Sequence, residues 1–512
     1  MALKLYNTLG RKKQEFKPIK KGQAGIYSCG PTVYWFQHIG NLRSYIFSDV
    51  LKRVLKYNGY KIKHVMNITD VGHLTSDADE GEDKIEKAAA KEGKTAEEIA
   101  NYYWKIFRED FKKLNIIEPD IWCKATEHIK EQIELIKKLE KKGYTYKTSD
   151  GIYFDTSKLK DYGKLAKLKI EKLKAGARID IGEKKNKTDF ALWKFSEKPG
   201  ERQQEWPAFG KIGFPGWHIE CSAMSSKYLG LPFDIHGGGM DLRFPHHENE
   251  IAQAEAATGK KFANYWLHIG LLTVDGEKMS KSIGNIINVK TLLEKWNPDV
   301  IRFFYAQAHY RSPPDFSDKG LENAEKGLVR IYRLKEKLGD LSGDKKIEKV
   351  DGKKLSDEEK IYLKIINDFK IEFETAMDDD FNTPQAVSVI FDFVNKSNIF
   401  FEKIFQPSKE LCSYSLNILT KLGNILTLFQ QKDVESKEFD ESTVLKLQKM
   451  LSKYKKDIKE KNVEKILDLI LEIRKEARDK KDWNTSDNIR KELYEIGFEI
   501  QDTSSGPVWR KK

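Results

Sequence analysis

Two lysines, Lys278 and Lys281, stand in the segment Lys278-Met279-Ser280-Lys281-Ser282, flanked by Val274-Asp275-Gly276 and Ile283-Gly284-Asn285. Turn residues on both sides predict a mobile loop. Two ammonium groups on such a loop can neutralise a triphosphate as charge moves onto a departing pyrophosphate, which is electrostatic stabilisation of a transition state. Far earlier in the chain lies His38-Ile39-Gly40-Asn41. Backbone N–H groups at a helix start attract phosphate. Gly40 lets a base or ribose lie against the backbone, where a Cβ would intrude. His38 and Asn41 can each donate a hydrogen bond to a phosphate oxygen. Taken singly, one segment reads as a turn with an incidental histidine and the other as a solvated lysine loop. Taken together they point to nucleotide chemistry.

A third set is Cys29, Cys221, His246 and Glu250, whose residue types make up a zinc site. His246 and Glu250 are i and i+4 in Pro245-His246-His247-Glu248-Asn249-Glu250, so both face one side of a helix. His247 and Glu248 point elsewhere on that helix and are the poorer candidates. A buried cysteine is ordinarily core, and a His-x-x-x-Glu pair is ordinarily surface. Spacing alone leaves the metal reading and the structural reading both open.

The elements that must position these groups are legible as patterns. Ala24–Cys29 reads as a buried strand, broken by Gly30-Pro31-Thr32. A helix is expected from about Asn41 to Tyr57, with Leu42, Ile46, Val50 and Leu55 toward one face and Asn58-Gly59 ending it. Lys61–Asn67 is the next strand. Such a β-α-β unit implies a parallel sheet with ligands at the carboxyl ends of its strands. A helix capped by Thr126 and stopped by Gly143 is expected next. The stretch 144–210, short strands with Lys/Gly-rich loops, reads as an insertion, and Phe214-Pro215-Gly216-Trp217 as the return to the core. Cys221 falls on a helix expected over Trp217–Tyr228. Beyond about Gly320 long amphipathic patterns predict a helix bundle up to Leu428, then a linker and a smaller, basic, largely helical unit.

A chain of 512 residues is too long for one core. Lysine and arginine exceed aspartate and glutamate by 12, which fits a polyanionic partner and fits a lysine-rich surface equally well. Four cysteines make no disulfide framework. With no apolar run of membrane length and no secretory core at the N-terminus, a cytoplasmic location and no membrane association are expected.

The motifs also carry a resemblance. CGPTVY (Cys29–Tyr34) leading into HIGN, GWHIECSAM (Gly216–Met224), FDIHGGGMDLRFPHHENEIAQ (Phe233–Gln253), KMSKSIGN, AMDDDFNTP (Ala376–Pro384) and DWNTSDNIR (Asp482–Arg490) resemble the cysteinyl-tRNA synthetase family of class I aminoacyl-tRNA synthetases, nearly end to end. The resemblance implies an α/β fold. A Rossmann-type catalytic domain (1–125 and 211–272) carries an inserted connective domain (126–210). A KMSKS and stem-contact region (273–322), a helical bundle (323–430) and a small, mostly helical anticodon-binding domain (440–512) follow. It implies one Zn2+ on Cys29, Cys221, His246 and Glu250, and ATP with Mg2+ at His38, Gly40, Asn41, Lys278 and Lys281. It implies a cysteine pocket completed by Thr69, Trp217 and His236. For tRNA(Cys), the terminal unit offers Arg474, Arg478, Arg490 and Arg510, with Trp509 able to stack on a base. A monomer is expected.

Two departures stand out. The family signature ends in histidine where this chain has Asn41, and a basic residue is expected in place of Phe214. Two other readings stay open. Ligases that join cysteine to an amino-sugar share the front half but lack the long basic C-terminal extension. A non-catalytic RNA-binding paralogue would fail cysteine-dependent ATP–pyrophosphate exchange.

Overall fold

Five apolar runs form one all-parallel sheet, in the order Ala263–Ile269, Phe233–Gly239, Gln23–Ser28, Lys61–Ile68, Ile121–Lys124. The chain order reverses at Gln23–Ser28, which has a later strand on one side and the next strand on the other. Such a switch point opens a crevice at the carboxyl ends of the strands. The computed structural model describes residues 2–72, 83–168, 183–280, 283–343, 346–404, 406–430, 441–454, 463–503 and 506–511.

The helix Ile39–Tyr57 lies against this sheet and buries Leu42, Ile46, Val50, Leu51, Val54 and Leu55. It ends at Asn58 because Gly59 turns to φ 84°. The expected helix after residue 125 differs at its start. Thr126 does not cap it: its hydroxyl donates to Asp70 Oδ2 at 2.6 Å, a short 3-10 turn follows, and the α-helix runs Ile129–Lys141.

The insertion is a second, antiparallel sheet of five strands: Thr145–Lys147, Gly151–Phe154, Phe190–Phe195, Lys211–Pro215 and Trp206–Ala208. Its Lys211–Pro215 strand pairs with Phe190–Phe195, so the insertion extends past 210. Phe214 and Pro215 close it rather than reopening the parallel core. Phe214 stacks under the Arg202 guanidinium, 3.7 Å from the ring centroid. The basic residue expected at 214 is absent, and the Arg202 guanidinium over this ring pairs with Asp83.

Helices Pro298–Ala306, Asp318–Leu341, Asp357–Asp378, Thr383–Lys403 and Lys409–Gly423 form the bundle. Stacked rings pack its interior, Tyr362 on Phe400 at 4.1 Å and Phe369 on Phe393 at 4.2 Å. A buried ion pair ties this bundle to the sheet's first helix. Arg302 Nη2 reaches Asp49 Oδ2 at 2.5 Å, with Thr427 and Arg53 on the same carboxylate. Burial alone would raise the Asp49 carboxyl, but Arg302 and Arg53 outweigh it and hold Asp49 below the ordinary range. Asp49→Ala would strand a buried cation, and urea denaturation should show a loss of about 3–5 kcal/mol. Because the folded value is depressed, the pair's contribution is complete above the unfolded pKa of ~3.9. It is lost as pH falls through the lower, folded value.

Residues 435–512 form a separate unit. Helices Glu441–Ser452, Val463–Asp479 and Trp483–Ile496 enclose Leu447, Ile466, Ile470, Ile489 and Leu493. The largely helical expectation misses its ending, an antiparallel hairpin of Phe498–Thr503 and Gly506–Lys511. Gly497, at φ 112°, stops the helix, and the buried pair Phe498 and Ile500 then alternates at strand spacing. Among the described residues no helix is long and apolar enough to cross a membrane.

Candidate active site

The strand Gln23–Ser28 delivers Cys29 to the crevice at the switch point, where a cavity of about 520 Å³ opens. Cys29, Cys221, His246, Thr69 and Trp217 line one part of it, and His38, Gly40, Asn41, Lys278 and Met279 another. Gly30 permits the sharp exit from the strand. A Cβ there would lie 1.8 Å from the Asn67 carbonyl oxygen.

The two nucleotide signatures meet. His38 caps the helix Ile39–Tyr57: its Nδ1 accepts from the Asn41 N–H at 3.3 Å, and Asn41 Oδ1 accepts from the His38 N–H at 3.4 Å. With Nδ1 accepting, the neutral ring carries its proton on Nε2, so a donor role falls to that nitrogen. Asn41 keeps its amide NH₂ for donation. The Gln37–Ile39 backbone pairs with Ile287–Val289, just past the lysine loop. A Cβ on Gly40 would come 3.0 Å from Cε of Met279, so this glycine makes room for the loop's own methionine. Asn285 closes the loop, accepting from the Ser280 N–H at 2.8 Å and donating to the Lys278 carbonyl at 3.2 Å. Lys278 is exposed, on the short strand Glu277–Lys278. Lys281 lies outside the described residues.

Arg43, two residues beyond Asn41 on the same helix, was not singled out by sequence. Its buried guanidinium donates to the carbonyls of Gly270, Leu271, His309 and Ser312, at 2.5–3.0 Å. It therefore pins the end of the sheet and the approach to the lysine loop against the signature helix.

Cys29, Cys221, His246 and Glu250 bring one ligand atom each within 4.8 Å of one another. The helix Trp217–Leu229 carries Cys221, and the helix His246–Thr258 carries the other pair. His246 Nε2 lies 2.9 Å from Glu250 Oε1, and His236 Nε2 lies 2.8 Å from Glu250 Oε2. Burial and the adjacent Cys221 push the Cys29 thiol up. Burial would raise Cys221 too, but hydrogen bonding from Cys29 and the charge of His246 keep it below the ordinary thiol range. Burial disfavours a charged His246, yet Glu250 and Cys221 push it up to about 10. Glu250 is likewise held down to about 2 against burial, by His236 and His246. A buried thiolate and carboxylate thus draw positive charge to one centre. Two sulfurs, one imidazole and one carboxylate are a donor set that fits Zn2+.

The histidine surroundings are richer than i, i+4 spacing allowed. His247, set aside on sequence, has Nε2 3.2 Å from Cys29 Sγ, and its Nδ1 meets His268 at 2.9 Å. His218 Nδ1 lies 2.9 Å from His246 Nδ1. Glu248 also has work: it accepts the N–H groups of Gly163, Leu165 and Ala166, each at 2.9 Å, while Asn249 accepts from Tyr162. This face clamps the insertion onto the helix that carries His246 and Glu250. The missed signal was chemical. A helix this polar that lies buried over most of its length needs a partner for every head group.

Thr69 donates to Glu220 at 3.0 Å and accepts from Asn67 at 3.1 Å. Trp217 stands beside His246, ring centroids 4.4 Å apart. His236 is fully buried against Glu250, stacked on Trp266, and is not among the residues that line the cavity. Asp241, also missed on sequence, lines the cavity. In the terminal unit Arg490 and Arg478 are exposed, but Arg474 is buried, so it is withdrawn as a surface contact. Trp509 is half-buried against Phe498, ring centroids 5.6 Å apart.

Two family models match: the class I (C) tRNA synthetase catalytic domain over residues 15–326 and the DALR domain over 372–430. The cysteine–tRNA ligase of Thermococcus gammatolerans is 43% identical, covering 100% of this chain and 99% of the relative. That of Thermodesulfovibrio yellowstonii is 43% identical, with 100% of both covered. Among solved structures, Mycobacterium tuberculosis methionyl-tRNA synthetase bound by methionyl-adenylate superposes with a TM-score of 0.61 at 14% identity, over 83% of this chain and 94% of that one, a likeness of fold.

Proposed function

The chain belongs to the cysteine–tRNA ligase family of class I aminoacyl-tRNA synthetases, and from that premise we propose how its residues divide the reaction. A cysteine carboxylate attacks the α-phosphate of Mg2+–ATP, giving cysteinyl-adenylate and pyrophosphate. The 3′-terminal ribose hydroxyl of tRNA(Cys) then attacks the activated carbonyl and releases AMP. Neither step needs a protein nucleophile, so catalysis is positioning and charge stabilisation.

His38 and Asn41 donate to the phosphates, each held in place by capping the other. Gly40 keeps the lysine loop close, and Lys278 and Lys281 meet the charge that develops on pyrophosphate. Asn41 supplies a hydrogen bond without the charge a histidine could carry there. Trp217 and Thr69 wall the amino-acid pocket, and His236 fixes Glu250.

Cys29, Cys221, His246 and Glu250 would hold one Zn2+ per chain. When bound, such an ion supplies a centre that prefers a substrate thiolate to the hydroxyl of serine, which shape alone separates poorly. The observation that carries this reading is the convergence of those four side chains, three of which (Cys29, Cys221 and His246) line the cavity that also holds His38, Asn41 and Lys278. Arg490 and Trp509 are proposed tRNA contacts, within a monomeric, cytoplasmic enzyme.

ATP–pyrophosphate exchange with cysteine and serine in parallel, plus metal analysis of the same sample, tests the reading. Exchange with cysteine only and about one zinc per chain are expected. Folded, zinc-loaded protein without exchange would overturn it.

A further inference from the structure

Between the metal cluster and the signature helix runs Tyr34-Trp35-Phe36-Gln37. Trp35 is 41% exposed and stands in the wall of the reaction cavity, near His38 and Lys84. Its ring meets Phe36 edge-on at 5.6 Å and tilts against Tyr103 at 5.9 Å. Tyr103 in turn touches Tyr102 at 5.1 Å, and Tyr102 is 45% exposed. A row of rings thus leads from the cavity out along the helix Ala96–Lys113. Lysines border it: Lys290 is 5.8 Å from the Phe36 centroid, Lys91 is 5.8 Å from Trp35 and Lys94 is 4.6 Å from Tyr102. Two carboxylates stand among them: Glu92 accepts from the Tyr103 hydroxyl at 2.8 Å and pairs with Lys94 at 2.9 Å, and the buried Asp110 feels the charge of Lys290. Glu98 is turned back onto Thr95. Lys91, Lys94 and Lys290 thus outnumber Glu92 and Asp110 along the row.

We infer that Trp35, with Tyr103 and Tyr102 behind it, is a stacking platform for the unpaired 3′-terminal nucleotides of tRNA, and that Lys91 and Lys290 meet their phosphates. The inference rests on the reading above, in which the 3′-terminal ribose enters this cavity. That ribose enters the cavity at the end of an unpaired strand, and Trp35 offers that strand a partly exposed ring in the cavity wall. Exposed rings interleaved with ammonium groups hold single strands without reading sequence, because every base has a π-face. The adenine of ATP is the other base that could seat on Trp35, and the two are separable.

Trp35→Ala and Trp35→Phe in the full chain test this. In aminoacylation, Trp35→Ala should raise the KM for tRNA about tenfold, with Trp35→Phe recovering most of the loss. The KM for ATP in tRNA-independent exchange should move less than about twofold, since that assay contains no 3′ end. Wild type and Trp35→Ala should bind equally a tRNA trimmed of its unpaired 3′ nucleotides. A parallel rise in the KM for ATP would assign the ring to ATP and overturn the inference, as would an unchanged KM for tRNA. Wild-type protein that exchanges with cysteine but charges no tRNA would instead remove the reading beneath it.

Discussion

Cys221→Ser is expected to lose zinc and, with it, the preference for cysteine. The side chain is buried, and its sulfur is one of four ligand atoms clustered within 4.8 Å. A hydroxyl in its place is a poorer donor to a metal and leaves the site one thiolate short. Loss of an outer-shell partner typically costs roughly 10–100-fold, so loss of a ligand should lower kcat/KM for cysteine in exchange by more than about 100-fold. Sites that engage a substrate's distinguishing group reject the analogue lacking it by ~10⁴–10⁵, and that margin over serine should collapse. Cys123→Ser is the control. Cys123 is equally buried but directs its sulfur toward the Met66 carbonyl, 3.5 Å away, outside the cluster. It should keep both zinc and selectivity. Metal analysis and exchange on both variants, with thermal denaturation to verify folding, decide the matter. Cys221→Ser protein that still distinguishes cysteine from serine normally would end the recognition role.

Lys281→Ala should cut the rate of adenylate formation by about 10²–10³, the usual loss when one preorganised charge is taken from a transition state. The effect belongs in kcat, because the charge on pyrophosphate develops as the bond to the α-phosphate breaks. Lys278→Ala should cost less. Lys278 is solvent-exposed on its strand, where water screens its charge. Single-turnover adenylate formation measures this step apart from product release. A loss confined to the KM for ATP would mean that the lysines bind the ground state and transition state alike.

Much of the chemistry was legible in residue types. The Lys278–Ser282 loop, the His38–Asn41 turn and the i, i+4 pair His246 and Glu250 could be read because each is local. So could the strands of the parallel sheet, whose apolar runs are bounded by turn residues. The Thr126 cap failed because a tertiary acceptor, Asp70, outcompeted the local backbone for its hydroxyl. His247 was set aside because helix geometry was judged without knowing where Cys29 would arrive. Glu248, set aside as pointing elsewhere on the helix, gained its role only when the loop 163–166 brought three N–H groups to it.

The sequence by itself determined which groups exist and which local elements carry them: two thiols, an imidazole, a carboxylate, and two segments whose residue types suit phosphate, on predictable strands and helices. Tertiary structure alone decided that these meet. The reversal of strand order at Gln23–Ser28 carries Cys29 to the pair on His246–Thr258, and Arg43 and Met279 bring the lysine loop to the signature helix. The physical reason is range. Helix caps and alternation act over a few residues, whereas burying an anion beside a cation requires partners from distant segments, and only packing selects them.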